Sequence, residues 1–285
     1  MNETRQAENG SWQDRVRDKP MRINTVGSEN GHGSWDELWR RRRRLYIYGN
    51  VVMAAENYLG GLKRRSILEV GCGRGATLVE LARRGANVVG LDYSEEALAV
   101  CKALESRNGI AGRATFVKGD ARQLPFPDES FDFVFSVGLI EHFRDPCAIL
   151  GEQHRVLRPG GVIFLQVPQK YSVYTAVKKL LIRMGKWPYG GWETEFSEKE
   201  LSDLAVRAGF APEYSYGYGS FALAAIRHVV FPTLDFAGMW RVGLKWRWLR
   251  SLKARTSLDV CLVARKLPVA IKPQMAEVAV PVLKA

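Results

Sequence analysis

The chain has 285 residues, 46% of them hydrophobic, and a formal net charge of +12. That length suits one well-buried α/β domain with additions and does not require two, and the composition is ordinary for a soluble globule. The basic balance suits nucleic acid, anionic lipid or acidic substrates without bearing on the fold. Cys72, Cys101, Cys147 and Cys261 form no CxxC pair and have no histidine at zinc spacing, which argues against a zinc site and for a reducing, intracellular compartment.

Residues 1–33, rich in Asn, Glu, Arg, Gly and Ser, read as a flexible arm without the apolar core of a secretion signal. Order is expected from Ser34, where Ser34-Trp35-Asp36-Glu37 has capping-box form. One lid helix over 34–60 is expected to carry Trp35, Leu38, Trp39, Leu45 and Tyr46 with the run Arg40 to Arg44. That run is either a solvated face or a docking face over a pocket.

Ser66-Ile67-Leu68-Glu69-Val70 then reads as a strand entering Gly71-Cys72-Gly73-Arg74-Gly75, and apolar periodicity from Leu78 follows as a helix. Glycines there let the backbone turn sharply and let a ligand approach it closely. A second strand spans Asn87 to Asp92, and Ser94 caps a helix reaching about Arg107. Third and fourth strands follow at Ala114–Lys118 and Phe131–Val137. A helix over 146–157 is closed by Arg158-Pro159-Gly160-Gly161, and the fifth strand spans Gly161 to Val167. Strands alternating with helices at this spacing predict an α/β, Rossmann-like, doubly wound and mostly parallel sheet with helices on both faces.

The glycine cluster leaves its ligand open. Gly71, Gly73 and Ala76 also meet the looser dinucleotide pattern, with Asp92 at the distance for gripping ribose hydroxyls. Taken together, Leu68-Glu69-Val70-Gly71-Cys72-Gly73-Arg74-Gly75, Gly90-Leu91-Asp92-Tyr93-Ser94, Gly119-Asp120-Ala121, Phe131-Asp132-Phe133-Val134 and Arg155-Val156-Leu157-Arg158-Pro159-Gly160-Gly161 resemble the class I S-adenosylmethionine-dependent methyltransferases. That broad group includes the small-molecule and quinone methyltransferases. The resemblance is close over residues 64–168 and implies S-adenosylmethionine as cofactor and a seven-stranded sheet. It implies Glu69 at the ammonium end of the cofactor, bare backbone at Gly71 and Gly73 with Cys72 and Gly75 in the same loop, and Asp92 on the ribose hydroxyls. It also implies Tyr93 beside the adenosine, Asp120 and the Ala121 amide on the adenine, and Ser136 where the fourth strand meets the cofactor. The dehydrogenase reading leaves Glu69 and Gly119-Asp120-Ala121 without a task.

Past the fourth strand, Glu141 and His142 stand where the methyl group points in this family. His142 is the candidate base, with Glu141 orienting or assisting it; a structural role for the pair is the alternative. Some quinone O-methyltransferases with this pattern place a further Glu three residues before the pair and use a metal. Gly138 occupies that position here, and no metal is expected. His32, His154 and His228 gain no role.

From Tyr171 onward the pattern loosens. Tyr171, Tyr174, Trp187, Tyr189 and Trp192 around Gly185, Gly190 and Gly191 suggest an aromatic lining for an organic acceptor. Ser197-Glu198-Lys199-Glu200 opens a further helix, a strand follows over 211–218, and the last strand spans Leu258 to Val263. The insert 220–255 mixes tryptophans with cations in a way that suits either peripheral membrane contact or packing over the acceptor pocket. No apolar window of about 18 residues escapes interruption, since Arg227 and His228 break the best one, so no membrane span is expected. Residues 267–285 read as a flexible tail.

The function expected is methyl transfer to O, N or C of a small organic molecule, a lipophilic one suiting the aromatic lining, in the cytoplasm or at a membrane surface. RNA methylation and a partner protein that binds cofactor without turnover are the competing readings. Against RNA, the fourth strand does not end in the Asn/Asp-Pro-Pro-Tyr pattern associated with a flipped base.

Overall fold

The computed structural model describes residues 35–41, 45–185, 193–219 and 257–267. The expected arm, the arginines at 42–44, Trp187, Tyr189 and Trp192, the insert 220–255 and the tail beyond 267 lie outside those residues.

Seven strands make one sheet: β1 Ser66–Val70, β2 Asn87–Asp92, β3 Ala114–Lys118, β4 Phe131–Val137, β5 Leu157–Pro168, β6 Phe210–Tyr218 and β7 Asp259–Lys266. Their spatial order is β3-β2-β1-β4-β5-β7-β6. Strands β1 to β5 pair in parallel, and β7 runs antiparallel to both of its neighbours. The chain reverses direction across the sheet between β1 and β4, where such folds open a crevice at the carboxyl ends of the strands.

Alternate strand residues feed two cores, as the pleat requires. Leu68, Val70, Val89, Leu91, Val134, Ile163 and Leu165 face one core; Ile67, Val88, Phe133, Phe135, Val162 and Phe164 face the other. Helices α2 (Gly49–Leu59), α3 (Ala76–Arg83) and α4 (Glu95–Asn108) cover the second face, through Val51, Leu78, Leu81, Leu98 and Cys101. Helices α5 (Pro146–Val156) and α7 (Glu198–Arg207) cover the first with Ile149, Leu150, Leu201 and Leu204. Burying each such side chain is worth roughly 1.5–3 kcal/mol. The capping box expected at Ser197 forms, with Ser197 and Glu200 bonded reciprocally.

Three local expectations give way. The single helix over 34–60 is two, α1 (Trp35–Arg41) and α2, and Leu45 and Tyr46 lie exposed outside both. Successive arginines place like charges at helical i,i+4 spacing, and the Tyr48 amide is drawn away to Thr77 Oγ1 at 3.1 Å. The stop at Pro159-Gly160-Gly161 does not delay the strand. β5 begins at Leu157, directly after α5, and Gly160 (φ +75°) absorbs a register shift against β4. Strand β7 runs three residues past Val263, because Arg265 and Lys266 place their charges on the carbonyls of Gly160 and Leu157, far away in sequence.

Helix α6 (Val173–Arg183) completes the set. Among the described residues, no helix is long and apolar enough to cross a membrane.

Candidate active site

The loop after β1 is built by its glycines. Gly71, Gly73 and Gly75 have φ of +74°, +49° and +66°, a region that other residues enter only at a cost. The amides of Gly71 and Cys72 both donate to Leu91 O at the end of β2, at 2.8 and 3.0 Å, and the Gly75 amide closes the turn on Cys72 O. Cys72 is buried in this loop, not within a strand.

Four predicted cofactor residues converge here. Glu69, in β1, is buried, and its Oε2 has no hydrogen-bond partner. Burial, with Cys101 and the Asp92 charge adding to it, pushes its carboxyl well above the usual range. Asp92, ending β2, accepts from the Gly73 amide at 2.7 Å and from the Ser94 amide at 2.9 Å, one on each oxygen. Each of those oxygens retains a second lone pair, and burial raises this carboxyl against the pull of those amides. The third and fourth members of the group are Gly71 and Gly73.

Asp120 lies just beyond β3, and Arg122 grips it in a fork, Nε to Oδ1 at 3.0 Å and Nη2 to Oδ2 at 2.7 Å. Burial opposes ionisation there, but the Arg122 contacts win and hold Asp120 below its ordinary value. Ala121 is buried beside it and Tyr93 is partly exposed. Ser136 is buried in β4, paired with Leu165 of β5.

Sequence reasoning expected a lid over the pocket but not the contacts it makes with the loop. A Cβ added to Gly73 would stand 2.6 Å from the ring of Trp39, and one on Gly71 would stand 2.8 Å from Leu139 Cδ1. Trp39 therefore lies directly on the loop, and α1 is pinned there by polar contacts. Asp36 accepts from the Ser94 hydroxyl and the Glu96 amide, Arg40 pairs with Glu96 at 3.3 Å, and Arg74 donates to Trp39 O at 3.1 Å. Trp35 meets His142 edge-on, ring centroids 5.1 Å apart. Alternation of Trp35, Asp36, Trp39 and Arg40 at i,i+4 spacing was the available signal.

The predicted Glu141-His142 pair sits in a 3₁₀ turn, Ile140–His142, past β4. Glu141 Oε1 is 4.0 Å from His142 Nε2, and Oε2 is buried without a partner. Burial raises the Glu141 carboxyl well above its usual range; Glu193 and Asp259 add to this, and Lys178 opposes it. Among the described residues no group of three potential ligands is arranged to hold a metal ion.

These features fit a cofactor with an amino-acid end and a nucleoside. The buried acceptor on Glu69 calls for a donor, the glycine loop is bare, and Asp92 and Asp120 stand at neighbouring strand ends. A family model described as a methyltransferase domain matches residues 68–165. A Mycolicibacterium smegmatis protein named "Probable S-adenosylmethionine-dependent methyltransferase" is 33% identical over 202 residues, 70% of this chain and 69% of its own length. A fatty-acid O-methyltransferase of the same organism is 33% identical over 175 residues, 61% of this chain; the match spans about half of that relative, 54%. In three dimensions, a SAM-dependent methyltransferase of Methanosarcina mazei superposes with a TM-score of 0.56 at 23% identity, covering 78% of this chain and 99% of its own, a likeness of fold. The chain belongs to the S-adenosylmethionine-dependent methyltransferases.

Proposed function

We propose that the acceptor, a small organic molecule, sits over the carboxyl ends of β4 and β5, with Glu69, Asp92 and Asp120 on the cofactor and Glu141-His142 at the reacting end. The observation that carries this reading is Glu69, a carboxyl withdrawn from water beside bare backbone, with one oxygen meeting no donor. A ligand ammonium supplies such donors and favours the ionised form.

When bound, S-adenosylmethionine supplies a methyl group on a positively charged sulfur, already a good leaving group. The protein's share is mainly orientation. Gly71, Cys72, Gly73 and Gly75 seat the amino-acid end, the remaining lone pairs of Asp92 accept from the ribose hydroxyls, and Tyr93 lies along the adenosine. The Ala121 amide and Asp120 face the adenine, and Ser136 lines the floor. Trp35 and Trp39 shut water out from above, which strengthens each of these polar contacts. His142 takes a proton from the acceptor where the reacting atom must lose one, worth about 10² or more in rate. A small organic acceptor is supported by the similarity to the fatty-acid O-methyltransferase.

Calorimetry on the purified chain tests this directly. S-adenosylmethionine and its demethylated product should both bind, and NADH should not. Binding of NADH alone would end the proposal.

A further inference from the structure

Strand β7 runs against its neighbours, so its first residue, Asp259, arrives at the edge where β5 and β6 end, opposite Pro168 and Tyr218. Its Oδ2 accepts from Gln166 Nε2 at 2.8 Å, and Gln166 Oε1 accepts from Asn50 Nδ2 of α2 at 2.9 Å. This relay fixes the carboxylate's orientation. Oδ1 takes no part in it.

Glu141 lies at the same edge, its Oε1 3.6 Å from where a Cβ on Gly138 would stand and its Oε2 buried without a partner. Gln169, one residue past β5, also holds Oε1 buried without a partner. Among the described residues, the unmet polar atoms here are acceptors. Lys178, a nearby cation, is engaged: it pairs with Glu193 at 2.6 Å and with Glu195 at 3.3 Å.

We propose that Glu141 and Asp259 together form the subsite for the acceptor's head group, which takes an uncharged or cationic hydrogen-bond donor, a hydroxyl or an amine, and rejects a carboxylate. A buried acceptor without a donor is destabilising until a ligand supplies the hydrogen, and an anion placed among Glu141, Glu193 and Asp259 adds repulsion instead. A donor or a cation also restores the ionised form that burial disfavours in both carboxyls, which a second carboxylate cannot do. Burial raises both carboxyls, Asp259 up to about 6; the Gln166 bond lowers Asp259, and the Glu193 charge raises it again. Tyr218 and Cys261 also lie within reach of the Asp259 charge. The inference rests on the methyl-transfer reading and narrows it. It also separates this chain from a relative whose name specifies a fatty acid.

Ligand-observed NMR with phenol, benzylamine and benzoate, at equal concentration and with demethylated cofactor present, provides the test without turnover. Phenol or benzylamine should bind, benzoate should not, and Asp259→Asn and Glu141→Gln should each weaken the signal at least several-fold. Far-UV circular dichroism and retained cofactor binding would show that the variants are folded. Benzoate binding as well as the others, no probe binding, or folded variants that bind unchanged would each overturn the subsite.

With labelled cofactor and a cell extract, the transferred label should resist alkali, as ethers and amines do. Release of labelled methanol from esters would refute the head-group assignment while leaving methyl transfer intact. Absence of any label despite cofactor binding would defeat the methyl-transfer reading, and the subsite with it.

Discussion

Replacing Asp259 with asparagine swaps a carboxyl for an amide of nearly the same shape that can still accept the bond from Gln166. In the folded chain, burial lifts this carboxyl from 3.8 to about 6, with the Gln166 bond opposing and the Glu193 charge adding to the rise. Each unit between folded and unfolded values corresponds to about 1.4 kcal/mol, so ionised Asp259 costs the fold about 3 kcal/mol. The sign follows from the direction. Because the folded value lies above the unfolded one, the stability linked to the neutral carboxyl is complete below about pH 3.8 and is lost as pH rises through about 6. Asparagine has no proton to lose. Urea unfolding of the two proteins between pH 4 and 7 should therefore show the variant gaining on the wild type by up to about 3 kcal/mol, with most of the gain between pH 4 and 6. A difference that stays constant with pH, or wild type gaining on the variant, would refute the burial argument.

Asp92→Ala should weaken cofactor binding at least tenfold by calorimetry, since about 1.5–3 kcal/mol attaches to a hydrogen bond on a charged group, whereas His142→Ala should spare binding and slow turnover; equal losses of affinity would contradict the division of roles. Glu69→Gln should lower cofactor affinity yet stabilise the free protein, by an amount that grows as pH rises above about 4.5, because burial raises this carboxyl in the folded state. Gly90→Ala places a Cβ 2.7 Å from Leu78 Cδ1 and 2.8 Å from Cys72 Sγ, so chemical denaturation should report a loss of about 1–3 kcal/mol. Asp36→Ala removes the anchors on Ser94 and Glu96 and should speed cofactor release in stopped flow without altering the fold; an unchanged off-rate would show that α1 does not gate the site.

Much of the architecture is legible in the chain. Glycines at three alternate positions after an apolar strand require a turn of positive φ, and acids at successive strand ends mark the crevice, because both follow from local backbone rules. Strands β1, β2 and β4 carry their own pattern of burial on both faces. Elsewhere local rules misled. Pro159-Gly160-Gly161 has the composition of a break, yet pairing with β4 draws Leu157 into the sheet and leaves Gly160 to absorb the misfit. Arg265 and Lys266 look like the polar end of a strand, and only carbonyls distant in sequence make their place in β7 affordable.

What the sequence alone determined is the parallel sheet, the glycine loop and the acids at its edge, since those are written in residue types a few positions apart. The tertiary structure decided what stands over and against them. Trp39 rests on Gly73 across 34 positions, and Glu141 and Asp259 share an edge only because β7 enters the sheet in reverse. Such pairings depend on which surfaces meet once the two cores have closed, and no stretch of chain short enough to read as a pattern contains both partners.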